Sequence, residues 1–528
     1  MAGILKRFKE LDAARKKRKD EFDEKQSERR EKFSKWRKKK AEENKSTGYN
    51  GSRKSDRNID NRKNGNKTAE EELEKRAELA TEMLKVDLVY LKGILKDFDE
   101  LHDPRNQKYI VYTASELLLF GLLSFRFHAE SRRDANTKIS PVLWENIREF
   151  FPMIDEIPHA DTVGNLAMRM DPDEFEQVKL NLICSLVRNK KLDGFRMTGG
   201  YLKMGLDGVN KYSRDNEWSL SALESKVSGK EDDEKRYYAS ALEASLILPN
   251  GHTLPVMTEF MDRYEHGDVG TDTEKGKQDC ETNAGKRLIK RLRALWPNIK
   301  LSLTMDSLYA TGPMLELCRE ENIDVMIVFK KTNIPTVWEE VETQINKGLC
   351  ESKPAYECNG VRQEFFWVNG IEYTYGEGKA LSVNVAVCKE SRTVFEKKTS
   401  DERTGQSEFA WISLRPFTAR NVEERCNSLG RARWNIESQN NIEKNDGYNY
   451  SHCFSYNWNA MLIYHFLMQI AHILNNIVLL STGFAETVKS LGFKRTILYL
   501  WNITDGARWD ATFLREKIPR RYQIRWAI

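Results

Sequence analysis

The chain has 528 residues, 31% of them charged, and a formal net charge of only +5. A chain of this length is too long for a single hydrophobic core and corresponds to roughly three or four structural units. The small net charge excludes a uniformly basic protein. The eight cysteines include no CxxC pair and no neighbouring histidine at zinc-finger spacing, so we interpret them as free thiols of a reducing compartment. The first ten residues lack the apolar core of a signal peptide, and we expect a cytoplasmic protein.

The first predicted element is a charged arm with a linker, residues 1–68. Positions 1–67 hold 24 Lys and Arg against 12 Asp and Glu, which makes this segment strongly basic. Positions 46–68 are rich in Gly, Ser and Asn, as is typical of a linker. A basic arm suits a polyanionic partner, and the same composition also serves solubility.

A helical segment follows at residues 69–198. Apolar residues recur with a helical period in 71–95, 113–125 and 175–187, and proline-containing breaks separate these stretches. The pattern predicts a separate, all-helical N-terminal domain. It has room for a DNA-binding helix-turn-helix, but no stretch indicates which helix would enter a groove.

Two strands are predicted to end in an aspartate. Apolar and polar residues alternate in 202–206 and again in 299–305, and the next residues on the polar face are Asp207 and Asp306. Right-handed crossovers can place two such strands side by side, which would bring the two carboxylates within reach of one ion. Singly, an aspartate at a strand end is ordinarily a turn or cap residue.

The elements around these strands complete an α/β pattern. A hairpin is predicted at 237–260, and a helix at 281–296. Residues 331–405 contain further strand-like pieces, which we interpret as a β-rich insertion. Residues 411–414 then return to the core.

The third acid lies in a helix predicted at 430–447. There, Arg433, Glu437 and Lys444 stand at i, i+4 and i+11, so they share one face. Read in isolation, this is a surface helix with an Arg–Glu pair, worth a few tenths of a kcal/mol. The two upstream aspartates favour another interpretation.

Together the three acids offer hard oxygen ligands. Asp207, Asp306 and Glu437 are of the type that Mg²⁺ or Mn²⁺ prefers. Two such ions, about 3.5 to 4 Å apart, activate the attacking oxygen and stabilise the leaving one in phosphoryl transfer. The pattern therefore predicts cleavage or joining of phosphodiester bonds.

Three stretches carry a family resemblance: GLDG around Asp207, LTMDSLYA around Asp306, and GRARWNIESQNNIEKNDGY around Glu437. They resemble the DDE transposases of bacterial insertion sequences, and the last is similar to the Arg-x3-Glu-x6-Lys signature of one branch. That branch has a Tyr three residues before the Arg, where this chain has Gly430. The resemblance implies a ribonuclease-H-like mixed sheet with flanking helices over 199–480, leaving 481–528 as a C-terminal extension.

The resemblance also implies roles for individual residues. Asp207, Asp306 and Glu437 would bind the metal ions, and Arg433 and Lys444 would hold DNA phosphates. Water would cut the strand at the element's end, and the freed 3′ hydroxyl would attack target DNA. Either Trp367 or Trp338 would stack a flipped base. The expected partners are double-stranded DNA, from the element ends and the target, and a second copy in a homodimer at the nucleoid.

Three alternatives stay open. An inactivated or recruited copy would bind DNA without transposition, and a general metal-dependent nuclease would cut unrelated DNA as readily as terminal repeats. A membrane protein is suggested only by the apolar run 458–480. That run contains His465, Gln469, His472, Asn475 and Asn476, and these polar side chains favour a buried helix.

Overall fold

A computed structural model describes residues 68–152, 156–226, 235–263, 279–358, 361–395 and 402–527, together with Glu24 and Lys35. The predicted basic arm and linker therefore lie almost wholly outside the described residues. The chain divides into two compact units, Met1–Ile59 and Asp60–Ile528. All elements named below belong to the second unit.

The described chain up to residue 188 is helical, as its apolar period predicts. Polar side chains cap the helices; Thr68 and Thr113, for example, each form a reciprocal capping box with a glutamate three residues later. Proline occupies the first turn of two other helices. The helices are α1 Ala69–Glu100, α2 Ala114–Arg126, α3 Arg132–Lys138, α4 Pro141–Arg148, α5 Ala160–Ala167 and α6 Pro172–Arg188.

A ten-stranded mixed sheet forms the centre of the unit. Its order is β2-β3-β1-β5-β6-β10-β9-β8-β7, with β4 pairing β3 off this path. The pairs β1–β5 and β5–β6 are parallel, and the other pairs are antiparallel. The strands are β1 Leu202–Arg214, β2 Leu223–Lys226, β3 Lys235–Ile247, β4 Thr253–Phe260, β5 Leu301–Met305, β6 Asp324–Val328, β7 Glu351–Cys358, β8 Val361–Tyr375, β9 Lys379–Phe395 and β10 Glu402–Ser413. This confirms a mixed α/β protein.

Strand β1 continues past the aspartate that was expected to end it. Asp207 pairs with Glu243 of β3, and the antiparallel ladder runs on to Arg214 opposite Tyr237. The strand continues because β3 is as long as β1 and supplies backbone partners beyond the point where the parallel neighbour β5 stops. Asp207 therefore lies within a strand, whereas Asp306 follows one directly.

The predicted β-rich insertion at 331–405 extends the core sheet. It begins with a helix, α9 Pro335–Asn346, and continues into β7, β8 and β9. Strand β10 pairs with β9 along its whole length and with β6 at its end, where Trp411 faces Val328. Because β10 belongs to both parts, the segment is continuous with the core. Two further helices flank the core strands, α7 Glu281–Leu295 and α8 Gly312–Glu320.

A buried helix, α12 Trp458–Leu479, joins the helical layer to the sheet. It is long and apolar enough to cross a membrane, but 94% of its apolar window is buried inside the protein. Its polar side chains bond to neighbouring elements: Gln469 donates to Glu243 of β3, and Asn475 donates to the Arg126 carbonyl of α2. The run 458–480 is thus a core helix, as its polar residues predicted.

The helical segment was expected to be a separate domain, but it belongs to the same compact unit as the sheet. Lys179 of α6 donates to Gln469 of α12 at 2.6 Å and to Thr258 of β4 at 3.1 Å. The C-terminal extension joins this layer too, because Asn146 of α4 donates to the Thr504 carbonyl. The extension consists of α13 Ala485–Leu491, α14 Phe493–Asp505 and α15 Ala511–Lys517.

Candidate active site

The two aspartates occupy equivalent positions on neighbouring strands. In the parallel β1–β5 ladder, Leu202 pairs with Leu301 and Gly205 pairs with Thr304. The same offset, continued for two residues, reaches Asp207 on β1 and Asp306 after β5. The sequence prediction that these strands lie side by side is confirmed.

The helix that carries Glu437 is preceded by an irregular helical segment. The chain forms α10 Val422–Arg425, a π-helical turn Cys426–Gly430, a 3₁₀ turn Arg431–Arg433, and then α11 Trp434–Asn445. A π-turn inserts an extra residue and turns the following side chains to a new direction. This change of helix type lies directly before the residue pair Arg433 and Glu437.

The segment that carries Glu437 packs closely on the sheet. A side chain at Gly205 of β1 would make an ordinary van der Waals contact with Ile436, which is fully buried, at 3.5 Å. A side chain at Gly430 would lie 2.6 Å from the Trp411 indole nitrogen of β10. The position where the related signature has a Tyr therefore has no room for a side chain here.

Arg433 links two of the three acids. Its Nη1 lies 2.7 Å from Glu437 Oε1 and 3.5 Å from Asp207 Oδ1. The arginine is 9% exposed, so its charge is only weakly screened by water. Asn440, one turn along α11, donates from Nδ2 to Asp207 Oδ2 at 3.4 Å. Asp207 and Glu437 are therefore brought together, with a guanidinium between them.

The pKa of Asp207 is shifted by burial and by the charged side chains around it. Burial raises the pKa of its carboxyl to about 7, Arg433 opposes the rise, and the charges of Glu437, Glu281 and Asp306 add to it. A nearby cation stabilises the ionised form of a buried carboxyl. Perturbed carboxyls of this kind are typical of functional sites.

Glu281, the first residue of α7, is a fourth acid at this site that the sequence analysis did not assign. Its Oε1 accepts a hydrogen bond from the Tyr309 hydroxyl at 3.0 Å. Its Oε2 lies 2.4 Å from the point where a Gly208 side chain would begin. An acid in the first helical turn ordinarily only complements the helix dipole, so the sequence alone does not distinguish this one.

The other residues predicted to contact DNA, Lys444, Trp367 and Trp338, differ in their exposure to solvent. Lys444 is partly exposed, with its ammonium 5.9 Å from the Tyr450 ring centroid. Trp367 is 2% exposed and belongs to a core cluster with Phe365 and Trp411, which argues against base stacking. Trp338 is also buried, on helix α9. Trp434, next to Arg433 in the sequence, is open to solvent and 62% exposed.

No preassembled metal site is present among the described residues. Within them, no group of three or more His, Cys, Asp and Glu side chains lies in an arrangement that holds a metal ion. The guanidinium of Arg433 lies between Asp207 and Glu437. The acids lie near the carboxyl end of β5, but their oxygens do not converge on one point.

Comparisons with known proteins give one family match. Residues 95–183 match a family model described as DDE_Tnp_1-associated, which spans about a sixth of the chain. None of the curated proteins compared with the chain matches it. Among solved structures, the chain is similar to a cryo-EM structure of a piggyBac transposase synaptic complex with hairpin DNA. The identity is 12% and the TM-score 0.35, over 84% of this chain and 86% of that one.

Proposed function

We propose that the protein is a DDE transposase that cuts DNA at the ends of an insertion sequence and transfers the freed strands to target DNA. One observation carries the proposal. Asp207 and Asp306 lie in register on adjacent strands, and Arg433 ties Asp207 to Glu437 of the third element. The family match over 95–183 supports it independently, since that family is named for its association with DDE transposases.

Asp207, Asp306 and Glu437 are the proposed holders of Mg²⁺ or Mn²⁺. The donor set fits, because all three supply hard oxygens. Burial raises the pKa of Asp207, and the charges of Glu437, Glu281 and Asp306 add to the rise while Arg433 opposes it. Bound there, the ions would activate the attacking oxygen and stabilise the leaving one. Arg433 must first swing away from its place between the carboxylates.

Arg433 and Lys444 have a second proposed role, as DNA phosphate contacts. A guanidinium released from the two carboxylates is free to pair with a phosphate, which it can bind in a bidentate manner. Lys444 lies on the same helix, two turns further on, and keeps part of its side chain in solvent. We assign a ribonuclease-H-like core to β1, β3, β4, β5 and β6 with the helices that flank them.

The test uses the full chain with Mg²⁺ and labelled DNA that carries the terminal inverted repeats of the element. We expect nicks at the repeat ends and transfer of the 3′ ends to a target plasmid. A scrambled duplex of equal length serves as the control. Equal cutting of both duplexes would contradict a transposase and indicate a general nuclease.

A copy that binds DNA without cutting it is the second candidate. It is favoured by one observation, the guanidinium that already neutralises Asp207 and Glu437. Binding to the repeats without any nick, in Mg²⁺ and in Mn²⁺, would support this candidate over the first.

A further inference from the structure

Glu281 is held in place by an aromatic ring. The Tyr309 hydroxyl donates to Glu281 Oε1, and the Tyr309 ring is fully buried. The ring packs against Gly285, one turn along α7, where a side chain would lie only 2.7 Å from it. Tyr309 follows Asp306 by three residues, so the element that presents Asp306 also orients Glu281.

The second oxygen of Glu281 lies against the catalytic strand. A side chain at Gly208 would begin 2.4 Å from Glu281 Oε2, so the carboxylate reaches β1 at the residue directly after Asp207. Burial raises the pKa of Glu281, and the charge of Asp306 adds to the rise. Burial likewise raises the pKa of Asp207, and the charge of Glu281 is among those that add to it. Glu281 therefore lies within electrostatic reach of both aspartates.

An independent observation concerns Asn440. This side chain is 5% exposed, and its Oδ1 has no hydrogen-bond partner in the described protein. Its amide lies against Asp207. A buried amide oxygen without a partner costs roughly 1–3 kcal/mol, and a bound cation would remove that penalty after rotation of the amide.

We propose that Glu281 is a fourth carboxylate ligand of the metal site, that Asn440 adds a neutral oxygen, and that Tyr309 is the positioning residue for Glu281. This inference rests on the proposed function. Four carboxylates balance the charge of two divalent cations, whereas three leave one positive charge over. Glu281 has one oxygen bonded to Tyr309 and the other turned to β1, as a ligand anchored on one side requires.

The experiment measures Mn²⁺ binding to the full chain by calorimetry and by electron paramagnetic resonance. The variants are Glu281→Gln, Tyr309→Phe and Asp207→Asn, with Glu320→Gln, an exposed acid on α8, as the matched control. We expect Glu281→Gln to weaken Mn²⁺ binding at least tenfold and to lower the number of bound ions. Tyr309→Phe should weaken it about threefold, and Glu320→Gln should leave it unchanged.

The outcomes distinguish the proposed role of Glu281 from the proposed function of the protein. If Asp207→Asn weakens Mn²⁺ binding while Glu281→Gln and Tyr309→Phe keep the wild-type affinity and stoichiometry, Glu281 is not a ligand and the proposed function stands. If neither the wild type nor any variant binds Mn²⁺, with or without DNA, both claims fall. Thermal unfolding in EDTA checks that each variant is folded. Should Glu281→Gln not fold, the Tyr309→Phe result decides, because that variant keeps every charge.

Discussion

Asp207 and Asp306 lie two residues beyond the last paired positions of two adjacent parallel strands, at the same offset on each. Register alone therefore brings together two carboxylates that are 99 positions apart in the sequence. The helix that carries Glu437 completes the arrangement, and Arg433 holds it there through two carboxylates.

Removing the guanidinium of Arg433, which bridges Asp207 and Glu437, should impair DNA cleavage. We expect Arg433→Ala to reduce cleavage of terminal-repeat DNA by at least about tenfold, because a charge-assisted contact of this kind contributes roughly 1.5–3 kcal/mol. Lys444→Ala should weaken DNA binding and lower its salt dependence. Arg420→Ala, a change of an exposed arginine, is the control. Wild-type cleavage rates in Arg433→Ala and Lys444→Ala would contradict both phosphate contacts.

The close contact at Gly430 predicts a cost for any side chain there. Gly430→Ala should lower the free energy of unfolding by about 1–3 kcal/mol, because its methyl would overlap the Trp411 indole. Gly93→Ala, in helix α1 with no atom within 4 Å of its new methyl, should be neutral or stabilising. Chemical denaturation of both variants measures the difference. Equal stability of the two would show that the helix does not approach β10 this closely.

Trp367 should behave as a core residue. Trp367→Ala is expected to lower the free energy of unfolding by about 3–5 kcal/mol, because it opens a cavity in the cluster around Phe365 and Trp411. Trp434→Ala removes a tryptophan that is 62% exposed, and it should change stability little. The denaturation midpoints of the two variants give the comparison. Retained stability in Trp367→Ala, with loss of DNA cleavage, would restore the base-stacking interpretation.

Acid should destabilise the fold through His465. Burial lowers the pKa of this histidine from 6.5 to about 4, and the Lys211 ammonium, 3.3 Å from its Nδ1, acts in the same direction. Its Nε2 lies 3.2 Å from Glu243, so the neutral ring donates there. Between pH 6.5 and 4 the unfolded chain binds a proton that the folded chain does not. Stability from this group is complete above pH 6.5 and is lost as the pH falls towards 4.

The expected size of this effect is about 1–2 kcal/mol between pH 6.5 and pH 5. Urea unfolding at several pH values measures it. His465→Gln should remove this part of the pH dependence, and His102→Gln, a change of an exposed histidine, should retain it. An identical pH dependence in the wild type and His465→Gln would show that His465 is protonated equally in both states.

Much of the fold was accessible from local patterns in the sequence. The alternation at 202–206 and 299–305 located β1 and β5, and the polar residues of 458–480 identified a core helix. What local patterns do not contain is the identity of a partner strand. Strand β1 runs on past Asp207 because β3 pairs with it there, and the insertion joins the core sheet because β10 pairs with β6.

The candidate site was predicted in part. Asp207 and Glu437 meet through Arg433, whereas Glu281 was missed because one glutamate at a helix start carries no distinctive signal. Burial of single tryptophans could not be predicted either. Trp367, a predicted base-stacking residue, is buried in the core cluster, whereas Trp434 is 62% exposed.

The most direct test of the shared role of the acids is single-turnover cleavage of one labelled terminal repeat in Mg²⁺. Asp207→Asn, Asp306→Asn and Glu437→Gln are compared with Glu320→Gln under conditions where each protein is fully bound to the DNA. We predict that each site variant loses at least about 100-fold in cleavage rate while the control cuts at the wild-type rate. Cleavage at the wild-type rate by any of the three site variants would contradict the account.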